Sequence, residues 1–305
     1  MFTHKKIKLS EIQKDINFEL VVDSKISFAS KIGTCNPYLM NTLVYAISER
    51  FLELGLKSEK NVAFIVNKKE YFEKISQKNR GVIFSDDPKT LLSEIQTYLS
   101  KKVDFQWENF TSKISKKARV HPSAIISETN VTIGDNSYVG PNAIINERSI
   151  IGDNCNIGEG VVIGSEAFEI TGKNSSRKII SQSGGVKLNN NVNIQALSTV
   201  VRATFGGFTT INENVKIDSH VHIAHDSQIG KNSSLAASSF IAGNVTIGEN
   251  VFIGPGSSVA NGVEIGDRAW VTIGSTVVDN VMPEKKVSGN FAIDHIKFLK
   301  KYKSE

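Results

Sequence analysis

An apolar residue recurs at every sixth position from Ile211 to Val277: Ile211, Ile217, Ile223, Ile229, Leu235, Ile241, Ile247, Ile253, Val259, Ile265, Val271 and Val277. The residue that follows is small in eight of these twelve hexads, as at Ala224, Gly230, Ala242 and Gly248. The residue two places before is Val, Ser or Ala from Val215 to Ser275. This is a hexapeptide repeat, and its spacing predicts a parallel β-helix of triangular section. One β-branched or Leu side chain per hexad fills the axis, and a small residue lets the chain turn the corner.

The repeat also runs upstream. Its register passes through Val120 and Ile126, slips by one residue to Ile133, and continues at Val139, Ile145, Ile151, Ile157 and Ile163. A polar, Gly/Ser-rich insertion from Gly164 to Gly185 must leave the coil as a loop. The register resumes at Leu188, Ile194 and Val200, and a second interruption at 202–210 precedes the unbroken run. In all there are 23 hexads, enough for seven or eight coils at three hexads each. Stacked at strand spacing they form a prism about 35 Å tall.

Residues 1–105 lack the repeat. Short apolar runs at 61–67 and 81–86 read as strands, and the periodic segment 89–101, opened by Pro88, reads as a helix. The expected organisation is a small α/β domain over 1–105, a linker over 106–118, the β-helix over 119–282 and a tail over 283–305. Phe291, His295, Phe298 and Tyr302 give the tail helical spacing, suited to capping the last open coil. Flat prism faces pack readily about a threefold axis, so a homotrimer with clefts between subunits is the expected assembly.

The bulk properties narrow the class. Of 305 residues, 40% are hydrophobic and 22% charged, ordinary for a folded domain. The net charge of +5 comes largely from lysines near the two ends, which read as solvated surface or as attraction for an acidic nucleotide, coenzyme or carrier. No basic stretch is interleaved with aromatics, so nucleic acid is not expected as a partner. Cys35 and Cys155 make no disulfide framework. The stretch MFTHKKIKLSEI has no apolar run behind its charges, and no segment approaches a membrane span. The expected location is cytoplasmic, without stable membrane insertion.

Three of the six histidines, His220, His222 and His225, fall within Asp218–Asp226. With Ile223 on the axis, His222 and His225 must project outward or lie at the corner. A half-buried His beside Asp226 suits a general base at neutral pH. Acyl transfer to an amine needs one, because the attacking nitrogen loses a proton as it bonds to the thioester carbon. It also needs a donor for the developing oxyanion. Gly243 lies three hexads after His225, one coil further on the same face, which puts a glycine amide above the imidazole. The competing readings are solvated surface histidines and a zinc site. Three His in one hexad stretch cannot converge on an ion without distorting the coil, so no metal is expected.

The IAHD run with the GKNSSLAASSFIAGNVTIG that follows resembles the lipid A acyltransferases. The likeness is first to the UDP-3-O-acylglucosamine N-acyltransferase family and second to the UDP-N-acetylglucosamine O-acyltransferase family. It extends over about residues 7–280. It implies a left-handed coil, His225 as general base and the Gly243 N–H as oxyanion donor. HIAHD as a unit is nearer the O-acyltransferases, which implies His222 in the site and Asp226 orienting His225. GSEAF, then SRKI and Gly185, is similar to a loop of the N-acyltransferases and implies Phe168 and Lys178, with His220, as substrate contacts. Phe64 to Asn67 with Tyr71 is similar to an F-x-x-N-P-K-Y stretch whose Asn and Tyr hold uracil. Here the Pro is absent and the Tyr comes one residue later, and Asn67 and Tyr71 are the implied nucleotide contacts.

Two departures matter. No His occurs near Val259–Ile265, and the C-terminal arm is one short basic helix. Both suit an acetyl or short acyl group from coenzyme A better than a long hydroxyacyl chain. The expected function is therefore N-acylation of a nucleotide-linked amino sugar for surface glycan or lipopolysaccharide synthesis. Acyl-CoA or acyl carrier protein serves as co-substrate, with no tightly bound cofactor. The alternatives are the lipid A N-acyltransferase itself, using hydroxyacyl carrier protein, and, in another class, a non-catalytic β-helix scaffold or a metal-dependent hydratase.

Overall fold

The computed structural model describes residues 3, 5–33, 36–102, 104–172, 175, 177–289, 292 and 294–297. From Lys113 to Val287 the chain winds as a left-handed parallel β-helix. Strands of mostly two residues stack into three parallel sheets of eight, eight and nine strands. Ile223, for example, lies in register between Val200 and Ile241. The axial residues of the unbroken run, Ile211 to Val277, are all 6% exposed or less, and they join one continuous core with Val139, Ile157 and Leu188. Each such burial contributes about 1.5–3 kcal/mol, so the axis is where the coil's stability resides.

The residue two places before the axial one explains its own alternation. Where it is Val it extends the core; at three of the Ser positions the hydroxyl donates to a carbonyl of the next coil. Ser227 bonds Ala242 O at 2.9 Å, Ser233 bonds Gly248 O at 2.8 Å and Ser257 bonds Thr272 O at 2.8 Å. Corner residues adopt the left-handed conformation, and Asn fills many of them, including Asn154, Asn214, Asn232, Asn244 and Asn250. Asn tolerates that region because its short amide bonds locally. Parallel crossovers are almost always right-handed when a helix makes them. Here each crossover is a short turn with a left-handed residue, which removes the steric basis of that rule.

The coil begins earlier than the sequence suggests. Lys113–Ile114 already pairs in parallel with Thr132–Ile133, inside the segment expected to be a linker. The one-residue slip belongs to this first coil: Ile114 pairs with Ile133, Val120 with Val139 and Ile126 with Ile145, while the step from Ile133 to Ile151 is three whole hexads. The coil also ends later, because Lys286–Val287 pairs with Trp270–Val271. Of the expected tail helix, residues 295–297 have helical backbone; Phe291, Phe298 and Tyr302 lie outside the described residues, as does Cys35. Cys155 is a buried free thiol, and burial raises its pKa. Among the described residues no helix is long and apolar enough to cross a membrane.

The N-terminal part builds a five-stranded sheet in the order Glu19–Val22, Gly81–Phe84, Asn61–Val66, Thr42–Ala46, Phe28–Ala29. The first pair is antiparallel and the rest are parallel. Helices Glu49–Lys57, Tyr71–Ser76 and Pro88–Lys101 accompany it. The last starts where expected, with the Asp87 carboxylate accepting from Thr90 N at 3.2 Å.

Both interruptions of the repeat serve to join this sheet to the coil. The first forms an antiparallel hairpin, Ile170–Thr171 against Lys178–Ile179, and its Ile180 enters the N-terminal core. Gln96 on the helix Pro88–Lys101 donates to Ser183 Oγ at 2.9 Å. From the second, Phe205 enters the same core. Gly206, at φ +114°, lies so close to Phe28 that a Cβ there would sit 2.7 Å from its ring.

Candidate active site

His225 stands at the corner that follows the strand His222–Ile223, with 14% of its side chain exposed. Its Nδ1 lies 3.0 Å from Asp226 Oδ2. Asp226 is itself 1% exposed and sits in the left-handed region, at φ 62°. That carboxylate also accepts from the Thr204 N–H at 3.1 Å and from Asn36 Nδ2 at 3.3 Å, while the Asp226 N–H donates to Thr209 Oγ1 at 2.8 Å. A carboxylate can only accept, so Nδ1 carries a proton, and in the neutral ring Nε2 then presents a lone pair. The imidazole therefore has the tautomer and orientation of a general base.

Gly243 lies one coil on, as the spacing requires. A Cβ built on it would come within 2.5 Å of both Cε1 and Nε2 of His225. The imidazole thus occupies space that only glycine leaves open. Among the described residues none accepts from the Gly243 N–H, so this donor stands unused beside Nε2.

The other histidines divide. The His222 ring stacks on Phe240, the next residue up its sheet, at 5.2 Å and 7°. Burial lowers its pKa from the ordinary 6.5, with a smaller effect from the nearby His225. It is a neutral, half-buried wall of the site. His220 sits exposed in the left-handed turn at the other end of the strand, φ 60°, and is not brought to His225. Among the described residues no group of three His, Cys, Asp or Glu side chains is arranged to hold a metal ion.

The residues implied as substrate contacts are scattered within one chain. Phe168 is 81% exposed. Lys178 lines a groove of about 1030 Å³ between the hairpin and the helix Pro88–Lys101, and none of the residues around His225 lines it. Tyr71 is 1% exposed in a core with Val44, Phe64 and Val66. Leu43, Ala63 and Ile65 alternate with those residues and pack with Ile180 and Phe205, so Tyr71 lies on the sheet face turned away from the coil insertions. So buried, Tyr71 is not presented to solvent as the nucleotide contact the resemblance implies. Asn67 is half-buried, and its Oδ1 has no partner among the described residues.

Three side chains that the sequence does not single out complete the environment. Asn36 ties Asp226 to the N-terminal domain and also donates to Gly206 O at 2.9 Å. Glu169, in the first insertion, places Oε2 3.8 Å from His225 Nε2. Lys31 holds the other oxygen of Glu169 at 2.5 Å. Tyr45 lies near enough that the Glu169 charge adds to burial in raising its pKa. Beside Lys31 and Asn36 a cavity of about 340 Å³ opens, with Glu264 of the coil among its lining residues.

Residues 130–165, 208–243 and 244–278 match the family model for the bacterial transferase hexapeptide (six repeats). Over 78 residues the chain is 45% identical to a UDP-3-O-acylglucosamine N-acyltransferase of Methylacidiphilum infernorum, covering 26% of this chain and 22% of the relative. Over 58 residues it is 50% identical to the enzyme of that name from Caulobacter vibrioides, covering 19% and 17%. The match thus spans about a fifth of the length of these relatives. Among solved structures, the UDP-N-acetylglucosamine acyltransferase from Campylobacter jejuni superposes with a TM-score of 0.51 at 22% identity, covering 64% of this chain and 81% of that one. This likeness is one of fold.

Proposed function

We propose that this protein is an N-acyltransferase that moves an acyl group from a thioester to the amine of a nucleotide-linked amino sugar. The observation that carries the reading is the approach of the His225 imidazole to Gly243, so close that a Cβ there would fall 2.5 Å from Nε2, while Asp226 holds Nδ1. In this reading Nε2 takes the proton that the amine loses as its nitrogen bonds to the thioester carbon. The Gly243 N–H stabilises the oxyanion. Collapse breaks the C–S bond, and the imidazolium returns the proton to the departing thiolate. Asp226 keeps the ring in the required tautomer throughout.

The relatives are named for N-acylation of UDP-3-O-acylglucosamine, which supports an amine on a nucleotide sugar as acceptor. Asn67, half-buried with its Oδ1 unpartnered among the described residues, remains the candidate to meet the base. Surface glycan or lipopolysaccharide synthesis is the proposed setting. The same relatives favour a second reading, the lipid A enzyme itself with hydroxyacyl carrier protein as donor. The Phe240 and Trp270 rings on the flat faces, 44% and 47% exposed, support a homotrimer, which light scattering in solution checks directly.

The test is thiol release from acetyl-CoA and from hydroxyacyl carrier protein against UDP- and dTDP-linked amino sugars. Turnover that is lost in His225→Ala is expected. Release at an undiminished rate in that variant sinks the mechanism, and no release with any amino sugar favours a non-catalytic scaffold.

A further inference from the structure

Two hydrogen-bond acceptors face each other across the site with no donor between them. In the neutral imidazole that a general base requires, Asp226 takes the proton of His225 Nδ1 and Nε2 can only accept. Opposite it, 3.8 Å away, is Glu169 Oε2, which can also only accept, and both side chains are 14% exposed. Among the described residues nothing donates to Oε2, while Lys31 from the N-terminal domain fixes Oε1 at 2.5 Å. Such a pair does not satisfy itself. The gap is too long for a direct bond and short enough for one donor atom to lie within hydrogen-bonding distance of both.

The number of hydrogens on that atom decides which group fits. A hydroxyl has one proton and satisfies one acceptor. An amine has two to give, an ammonium three. We propose that Glu169 selects an amine over a hydroxyl as the acyl acceptor, holding the nitrogen between its Oε2 and His225 Nε2, with Lys31 as the residue that positions the carboxylate. The inference rests on the transferase reading above and names the chemistry of its acceptor.

The steps balance. The acceptor arrives as R–NH3+ and loses one proton to solvent by way of the Glu169 carboxylate. The neutral amine then donates one N–H to Glu169 and one to His225, which aims its lone pair at the thioester carbon. The C–N bond forms, the carbonyl π pair moves to oxygen at the Gly243 N–H, and Nε2 takes the N–H proton facing it. The oxyanion collapses, the C–S bond breaks, and the thiolate leaves with the proton from Nε2. Amide, thiol and one solvent proton result.

The experiment compares binding of UDP-glucosamine and UDP-glucose, which differ by amine against hydroxyl at one carbon. Isothermal titration is run on the full chain and on Glu169→Gln and Lys31→Met. The wild type is expected to prefer UDP-glucosamine. Glu169→Gln, which keeps the length that Lys31 packs on, is expected to lose about tenfold in affinity for the amine and little for the hydroxyl. Lys31→Met, which retains the carboxylate but frees it, is expected to lose less, again for the amine alone. Equal binding of the two sugars by the wild type, binding of neither, or an unchanged ratio in Glu169→Gln overturns the proposal. Because binding needs no donor, an amine preference without thiol release would sink the transferase reading separately and leave the selectivity of Glu169 measured.

Discussion

Around His225 single atoms decide the packing. The φ of Gly243 is not in the left-handed region, so alanine is tolerated by the backbone there and conflicts chiefly with the imidazole, at 2.5 Å, with Asn261 Nδ2 next at 3.0 Å. Gly243→Ala is therefore expected to displace His225 and cut thiol release about a hundredfold, with little change in melting temperature. In a His225→Ala background the same change should cost nothing further, and a full additional loss would show that the glycine acts elsewhere. His222 offers a separate test. Its folded pKa lies below the ordinary 6.5, chiefly through burial, so the folded state opposes protonation. The stability it contributes is present above about pH 6.5 and is lost as pH falls through the lower folded value. Thermal melts at about pH 7.5 and 5 should show a smaller acid loss for His222→Phe, which keeps the stack on Phe240. At this scale the periodicity made His225 and Gly243 legible, because one full turn of three hexads fixes which atoms stack. Glu169 and Lys31 were not, since they are 138 residues apart and meet only after two segments fold together.

The turns and strands carry a different kind of information. One axial residue per hexad specified the register over most of the coil. The first strand, Lys113–Ile114, escaped notice because it is exposed at the open end and has no buried axial partner below it. The insertion at 164–185 was readable as a departure from the coil but not as a hairpin, since its strands are two residues long and carry no alternation. Corner positions reveal local conflict. Leu197 occupies the left-handed conformation at φ 60° and is 58% exposed, where many other corners have Asn. Leu197→Asn is expected to raise stability by about 1 kcal/mol in chemical denaturation, because the short amide of asparagine bonds locally in this conformation and the leucine side chain does not. No gain would mean that the side chain has a partner of its own.

The molecule as a whole depends on the N-terminal sheet being locked onto the coil. Asn36, Lys31 and Phe28 all reach coil insertions, and two of them end on groups that hold or face His225. Gly206→Ala combines a strained φ of +114° with a Cβ 2.7 Å from Phe28. It is expected to cost about 2 kcal/mol and to expose the junction to limited proteolysis, while the coil itself resists. Activity should fall in step with that exposure, although residue 206 touches no substrate in the mechanism. The location of this junction was invisible in the pattern of apolar positions, because it depends on polar side chains and loops with no period.

The strict period also behaves like a screw thread. Above His225 each step of three hexads returns the chain to the same face, one rung higher. Deleting a whole rung beyond Gly243 would shorten the prism by about 4.8 Å and leave every later side chain on its own face. Deleting a single hexad would keep the axial residues buried yet rotate everything above by one third of a turn, carrying the Trp270 face to a new side. Length and angular phase are thus independent settings of this protein, adjustable in units of three hexads and one.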